Sequence, residues 1–588
     1  MKKKMFLLMT AVLAAGLTAC TSDDPLSSYN NADWTSGGGS TSGGTSTTTG
    51  DLTSFTVAID KTTAEPTNNA SAQYPDSEDM LENNSFTTQV NIVFNGSNAT
   101  YDTVDGVTIT ADGAHVTANH GSTKSICYVV SGTTTNGSLT IAGDKKYEVQ
   151  LNGADITNPD STALNLLSKK RAYVVLTDGT TNKLTDGSTS KASDQKAALY
   201  CKGKLLFNGS GALEVYGKYN NAIHCADYIV FRQGNNIYAN STANHGIKAN
   251  DGIYINGGIL NVEVSAAAAK GINCESHVVV NGGRTTVITT GNGTYDTDDK
   301  EAKGSAGIKA DSTFTINGGE LWLKSTGSGG KGINVDMDAT FNGGRTYIIT
   351  EGSQYSSNGD TASPKGIKAD GNLYITDGII WVRTNGKNGE GIESKSELTI
   401  SGGQTAVYAY DDAINSKSTM TITGGYVYAH GRNNDGLDAN GNLYIKGGTV
   451  FAICSGSPEV AIDANTEGGY KLYVTGGTIV AVGGLENGSS LSQSCYQASW
   501  TRNTWYAMTV GSQTFSFLTP ASGGNGLVIS AASQPTLKSG VSVSGGTSLF
   551  GGLANWGGTV SGGSSVSLSS YTGGNSGMGG GGGRPGGW

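Results

Sequence analysis

A glycine pair returns along this chain at 257, 282, 318, 343, 402, 424, 447 and 476, with Asp377-Gly378 filling the one gap. The steps are 25, 36, 25, 34, 25, 22, 23 and 29 residues. A base period of 22–25, lengthened by insertions at 290–304 and 351–364, means one small unit stacked many times. Aligned on the pair, Ile255, Val280, Ile316, Phe341, Ile375, Ile400, Ile422, Ile445 and Val474 fall in one column. After the pair, Leu260, Leu321, Ile380, Val427, Val450 and Ile479 form a second column, and Val262, Val287, Leu323, Ile348, Val382 and Val407 a third. Columns that alternate with polar positions define strands with one buried face, and helix periodicity is absent.

A Gly-Ile element supplies another strand. Ile223, Ile247, Ile272, Ile308, Ile333, Ile367, Ile392, Ile414, Leu437 and Ile462 point inward. Two positions on come only small residues, among them Cys225, Ala249, Cys274, Ala310 and Ser394, as a narrow interior requires. Three short strands per turn, each stacked on its like, predict an all-β fold: a single-stranded right-handed parallel β-helix. The glycine pair would give positive φ at a corner, and Asn256, Asn281, Asn317 and Asn342 could hydrogen-bond from turn to turn. A sandwich or propeller would show antiparallel hairpins instead.

The expected organisation is a lipoprotein signal at 1–20, a Gly/Ser/Thr tether at 21–50, an N-terminal cap at 51–97 and the β-helix at 98–485. A C-terminal β cap at 486–572 and a glycine-rich tail at 573–588 complete it. Lys2, Lys3 and Lys4 precede an apolar stretch too short to span a bilayer. Leu17-Thr18-Ala19-Cys20 resembles a bacterial lipobox with Cys20 as the lipidated residue, and an ordinary signal peptide is the other reading. Export to an outer membrane or cell surface is the expected location. A net charge of −10 argues against nucleic acid as a partner. Cys201 and Cys225 fall one turn apart, near enough to bridge, although small buried thiols are the simpler reading.

Outward positions must carry function, and three ladders stand out. The first is aromatic: Trp322, Tyr347, Trp381, Tyr428 and Phe451, on successive turns broken only by Ala406, with Tyr408 alongside. Such faces stack on sugar rings, or on each other within a sheet. The second is acidic: Glu390, Glu393, Asp411, Asp412, Asp435, Asp438 and Asp463. Crowded carboxylates suit Ca²⁺, which takes six to eight oxygen ligands, or form a hydrated face beside Lys395 and Lys417. The third is basic: Lys248, Lys309 and Lys368 alternate with Asn273 and Asn334, with Lys270, Lys331 and Lys365 nearby. It could meet uronate carboxylates, or be a solvated face.

Glu390-Gly-Ile-Glu393-Ser-Lys395, Tyr410-Asp-Asp-Ala-Ile-Asn415-Ser and Asn434-Asp-Gly-Leu-Asp438-Ala-Asn resemble a family of secreted carbohydrate-binding β-helix proteins. That family was first recognised in a cellulolytic clostridial protein with a pectate-lyase-like fold. Val130-Ser-Gly-Thr133 and Val149-Gln-Leu-Asn-Gly153 resemble its early coils, and Ala413 departs from it where glycine is common. The resemblance implies polysaccharide binding, with cellulose or acidic pectic glycans as ligands, and bound Ca²⁺. A binding module is therefore expected. A Ca²⁺-dependent lyase would need a base such as Arg432 or Arg383 beside the acidic ladder, and a surface adhesin without a dedicated glycan is the third reading.

Overall fold

The computed structural model describes residues 52–121, 124–190, 195–456, 458–524 and 526–573. Cys20, the signal and tether segments, and the tail beyond 573 lie outside the described residues. The rest is an all-β parallel solenoid. The Gly-Ile strands form one 15-stranded sheet, and the other two strands of each turn lie in a 28-stranded sheet. The first sheet starts with the antiparallel pair Val107–Asp112 and Ala114–His120 and is parallel thereafter to Ile462–Ala464.

Register follows the sequence columns. Ile247, Ile272, Ile308, Ile333, Ile367, Ile392, Ile414, Leu437 and Ile462 are paired turn on turn. All are fully buried in one continuous core with the other two apolar columns. Each such side chain contributes about 1.5–3 kcal/mol on burial. In several turns the second and third strands run on as one bent strand, as in Gly252–Val264, with the register shift at the glycine pair. The second glycine of the pair has positive φ, as at Gly258 (84°) and Gly378 (96°). The asparagine stack forms: Asn281 Nδ2 donates to Asn256 Oδ1 (2.8 Å), Asn317 to Asn281 (2.8 Å) and Asn342 to Asn317 (3.0 Å). Cys201 and Cys225 are paired in register as free buried thiols, both donating to the Gly203 carbonyl.

The coil extends into both flanking regions. Thr88–Asn95 already pairs in parallel with Ile126–Thr134, so the coil begins before residue 98. Ser490–Leu491 pairs with Leu472–Val474, so it also runs past 485. Residues 52–87 form an arm along the outside of the solenoid. Phe55 reaches Trp381, Lys61 pairs with Glu214 (2.7 Å), Asn68 bonds Gly319, and Asp79 bonds Arg171 (2.8 Å). The C-terminal region adds a six-stranded sheet that folds back so that the Phe550 amide donates to Gln404 Oε1 (2.8 Å). The two insertions are β-hairpins, Thr294–Asp296 with Glu301–Lys303 and Tyr355–Ser357 with Asp360–Ala362.

Candidate functional site

The aromatic ladder forms but is not a sugar platform. Trp322, Tyr347, Tyr428 and Phe451 are buried, and Trp381 is only 1% exposed. Phe55 of the N-terminal arm packs on Tyr347 and Trp381, with ring centroids 6.1 and 5.9 Å away. Phe550 covers Tyr428, and Phe517 covers Phe451 at 5.3 Å. An apolar strip outside a β-helix is itself buried when the chain has apolar arms to lay on it. Tyr408 alone stays half-buried, edge-to-face with His430 (4.9 Å) and under Arg432 (5.1 Å).

These arm contacts lie on the second and third strands. The first sheet keeps a polar outward face built of three parallel columns. Counting from the inward Ile, the residue one position on gives Lys248, Asn273, Lys309, Asn334, Lys368, Glu393, Asn415, Asp438 and Asp463 in unbroken register. Two positions before the Ile, at the corner, stand Lys270, Ala306, Lys331, Lys365 and Glu390, also in register. Asp412 and Asp435 continue that corner column, and the Asp435 amide donates to Asp412 Oδ1 (3.1 Å). Both columns change sign at the same turn, where Lys365 bridges Glu390 (2.7 Å) and Glu393 (2.9 Å). Three positions after the Ile runs a flank of opposite charge: Glu275, Asp311, Asp336 and Asp370 beside the lysines, Lys395 and Lys417 beside the acids. Lys248 pairs with Glu275, Lys309 with Asp311 and Asp336, and Lys368 with Asp370.

The acidic half does not gather into one site of seven carboxylates. Glu390 and Glu393 are taken by Lys365. Asp412 accepts from Asn415 Nδ2 (3.2 Å), and Asp411 stands at the edge, half-buried. Asp435, Asp438 and Asp463 converge, with one oxygen of each within 4.8 Å of the others. Glu486 joins them and was missed from the sequence, although Gly484-Leu485 repeats the Gly-Ile element 23 residues after Ile462: the Leu485–Ile462 bridge places Glu486 one turn beyond Asp463. Burial, then a hydrogen bond with Glu486, then Asp435 and Asp438 push the Asp463 carboxyl up to about 9. Burial first, and Asp438 next, hold Asp412 well above the carboxylate range. Such crowding favours either protonation or a bound cation. The all-oxygen donor set fits a hard cation such as Ca²⁺, and Asn415 Oδ1, buried with no donor, adds a neutral oxygen beside it.

The basic half lies in a groove of about 940 Å³. Its floor is the lysine face and its walls include the two hairpins, tied together by the Ala302 amide donating to Asp360 Oδ2 (2.7 Å). Burial, followed by the neighbouring lysines, lowers Lys331 to about 7 and Lys270 to about 8.

A parallel β-helix with one long, charge-divided polar face defines the class of protein. A profile of the family described as carbohydrate-binding domain-containing protein matches residues 105–268, 262–354, 361–436 and 383–516, and the chain belongs to that family. A relative of the same description from Acetivibrio thermocellus is 27% identical over 151 residues, which are 24% of this chain and 51% of the relative. The chain thus spans about half the length of that relative. A solved structure described as a polysaccharide lyase-like protein from C. thermocellum, in a gadolinium derivative, aligns at 17% identity with a TM-score of 0.29. That alignment covers 53% of this chain and 97% of the other.

Proposed function

We propose that the protein binds polysaccharide along the outward face of its first sheet, with Ca²⁺ held by Asp435, Asp438 and Asp463. The observation that carries this reading is the polar double ladder, which keeps its groove while the aromatic strip is covered. Family membership supplies carbohydrate as the ligand class. Turns rise about 4.8 Å apart, comparable with the advance of an extended glycan, so one chain can meet several turns. Cellulose and acidic pectic glycans are the ligands to test. Ca²⁺ would neutralise crowded carboxylates and offer a positive centre to a bound acidic sugar. A lipid on Cys20 would hold the protein at a cell surface.

Binding without turnover is the favoured mode. Arg432 is engaged by Tyr408, Tyr410 and the carbonyls of Ala409, Thr384 and Asn385, which removes it as a free base. Arg383 lies over Phe55 under the N-terminal arm. One observation favours a lyase instead: Lys331, held near neutrality in the groove, is suited to accept a proton.

Retention of the purified protein on insoluble and acidic polysaccharides, with Ca²⁺ and with chelator, tests both, provided unsaturated products are followed. Retention without product supports the binding reading, and its loss with chelator supports Ca²⁺. Product formation replaces it with the lyase. No retention on any polysaccharide leaves a scaffold.

A further inference from the structure

The lysines of this face are not alike. Lys248, Lys309 and Lys368 have carboxylates from the flanking column, and Lys365 has two. Lys270 and Lys331 stand in the corner column, farther from that flank. Lys270 Nζ donates to the carbonyls of Ala268 (2.5 Å) and Gly304 (2.6 Å), and Lys331 Nζ only to Gly329 at 3.4 Å. Neither has a carboxylate partner among the described residues. An ammonium carries three donors, so both keep capacity for a ligand. Ala306 separates them in register, and so places no anionic side chain between them. Asn334 Oδ1, in the adjacent column, is buried and accepts nothing. Above them stand the hairpins, whose Asp296 and Asp299 are held by Lys303.

We propose that the hairpin-walled stretch of the groove is a subsite for one negatively charged sugar residue, its anionic group paired with Lys270 and Lys331 and a hydroxyl donating to Asn334 Oδ1. The proposal rests on the polysaccharide-binding reading and adds the charge and the place. Two unpaired cations in a part-buried groove select an anion, since a neutral sugar leaves them uncompensated. A uronate carboxylate and a sulfate ester share this chemistry. The free amide oxygen needs a donor beside the anion, which sugars of both kinds carry.

The test uses the full chain in calorimetric titrations at about pH 6, where both lysines are protonated, with three probes: an oligogalacturonate, its methyl ester, and a sulfated neutral galacto-oligosaccharide. The wild type should bind an anionic probe at least about tenfold more tightly than the methyl ester, one charge-assisted contact being worth about that factor. The tighter anionic probe identifies the source of the charge. The double variant Lys270→Gln, Lys331→Gln, its fold checked by circular dichroism, should lose that preference, and Lys331→Arg should keep it. Equal wild-type affinity for charged and esterified probes overturns the subsite, even if the glutamine variants fold poorly. An unchanged preference in a folded double variant does so too. In both cases wild-type retention on polysaccharide shows that the parent reading survives, whereas absence of wild-type retention removes both.

Discussion

Ala413 stands where neighbouring turns have glycine, and the structure explains the exchange. A Cβ added at Gly271, Gly366 or Gly391 would come within 2.1–2.2 Å of the Val287, Val382 or Val407 side chain, 16 residues on. The residue 16 beyond Ala413 is Ala429, which is fully buried. A methyl has moved from one side of the corner to the other. Ala429→Val should therefore overpack this corner and lower stability by about 1–3 kcal/mol, read by denaturant unfolding. Lys331 gives a second prediction. It faces Lys270, Lys365 and Lys368, with Glu393 opposing them, and Lys270 faces Lys303 and Lys309 against Asp311 and Glu301. Anion binding needs both ammonium groups, which are protonated below their values of about 7 and 8. Affinity for an acidic probe should thus be full at about pH 6 and fall as pH rises through that window, while binding of a neutral glycan stays level. The inward columns were legible residue by residue, because burial imposes a period. Which outward lysines keep a free charge was not, because it depends on flanking acids three residues after the Ile, a column that carries no burial signal.

At the scale of elements, the strands and corners followed from the repeat, whereas the two arms did not. Residues 52–87 and 492–573 have no repeat to align, so nothing in the sequence disclosed that Phe55 and Phe550 would lie on the aromatic ladder. The ladder was correctly placed outside the helix bore and wrongly read as open. Its aromatic residues hold the arms instead. Phe55→Ala should cost about 3–5 kcal/mol of local packing and release the arm, seen as earlier proteolytic cleavage within 52–87. Trp381→Ala should do the same, and any loss of glycan retention should accompany arm release. The insertions were legible as breaks in period but not as hairpins walling a groove.

Over the whole molecule, the polar face carries cations on one half and carboxylates on the other, joined at Lys365. The acidic end makes stability depend on pH and on metal. Asp463 holds its proton to about 9 in the folded state, while an unfolded aspartate loses it near 4. The unfolded chain therefore releases a proton first, and stability falls as pH rises between these values. With chelator, Tm should drop from about pH 5 to about pH 8. Saturating Ca²⁺ should restore it, because the cation favours the ionised form. Asp463→Asn should flatten both responses.

The claim that glycan lies on the first sheet is tested most directly by lysine acetylation footprinting, read by mass spectrometry with and without saturating polysaccharide. Lys270, Lys309, Lys331 and Lys368 should be protected by the glycan, while Lys538, on the C-terminal sheet, reacts at its free rate. Unchanged reactivity of those four in a protein that is demonstrably bound would contradict the account and move the ligand to another face.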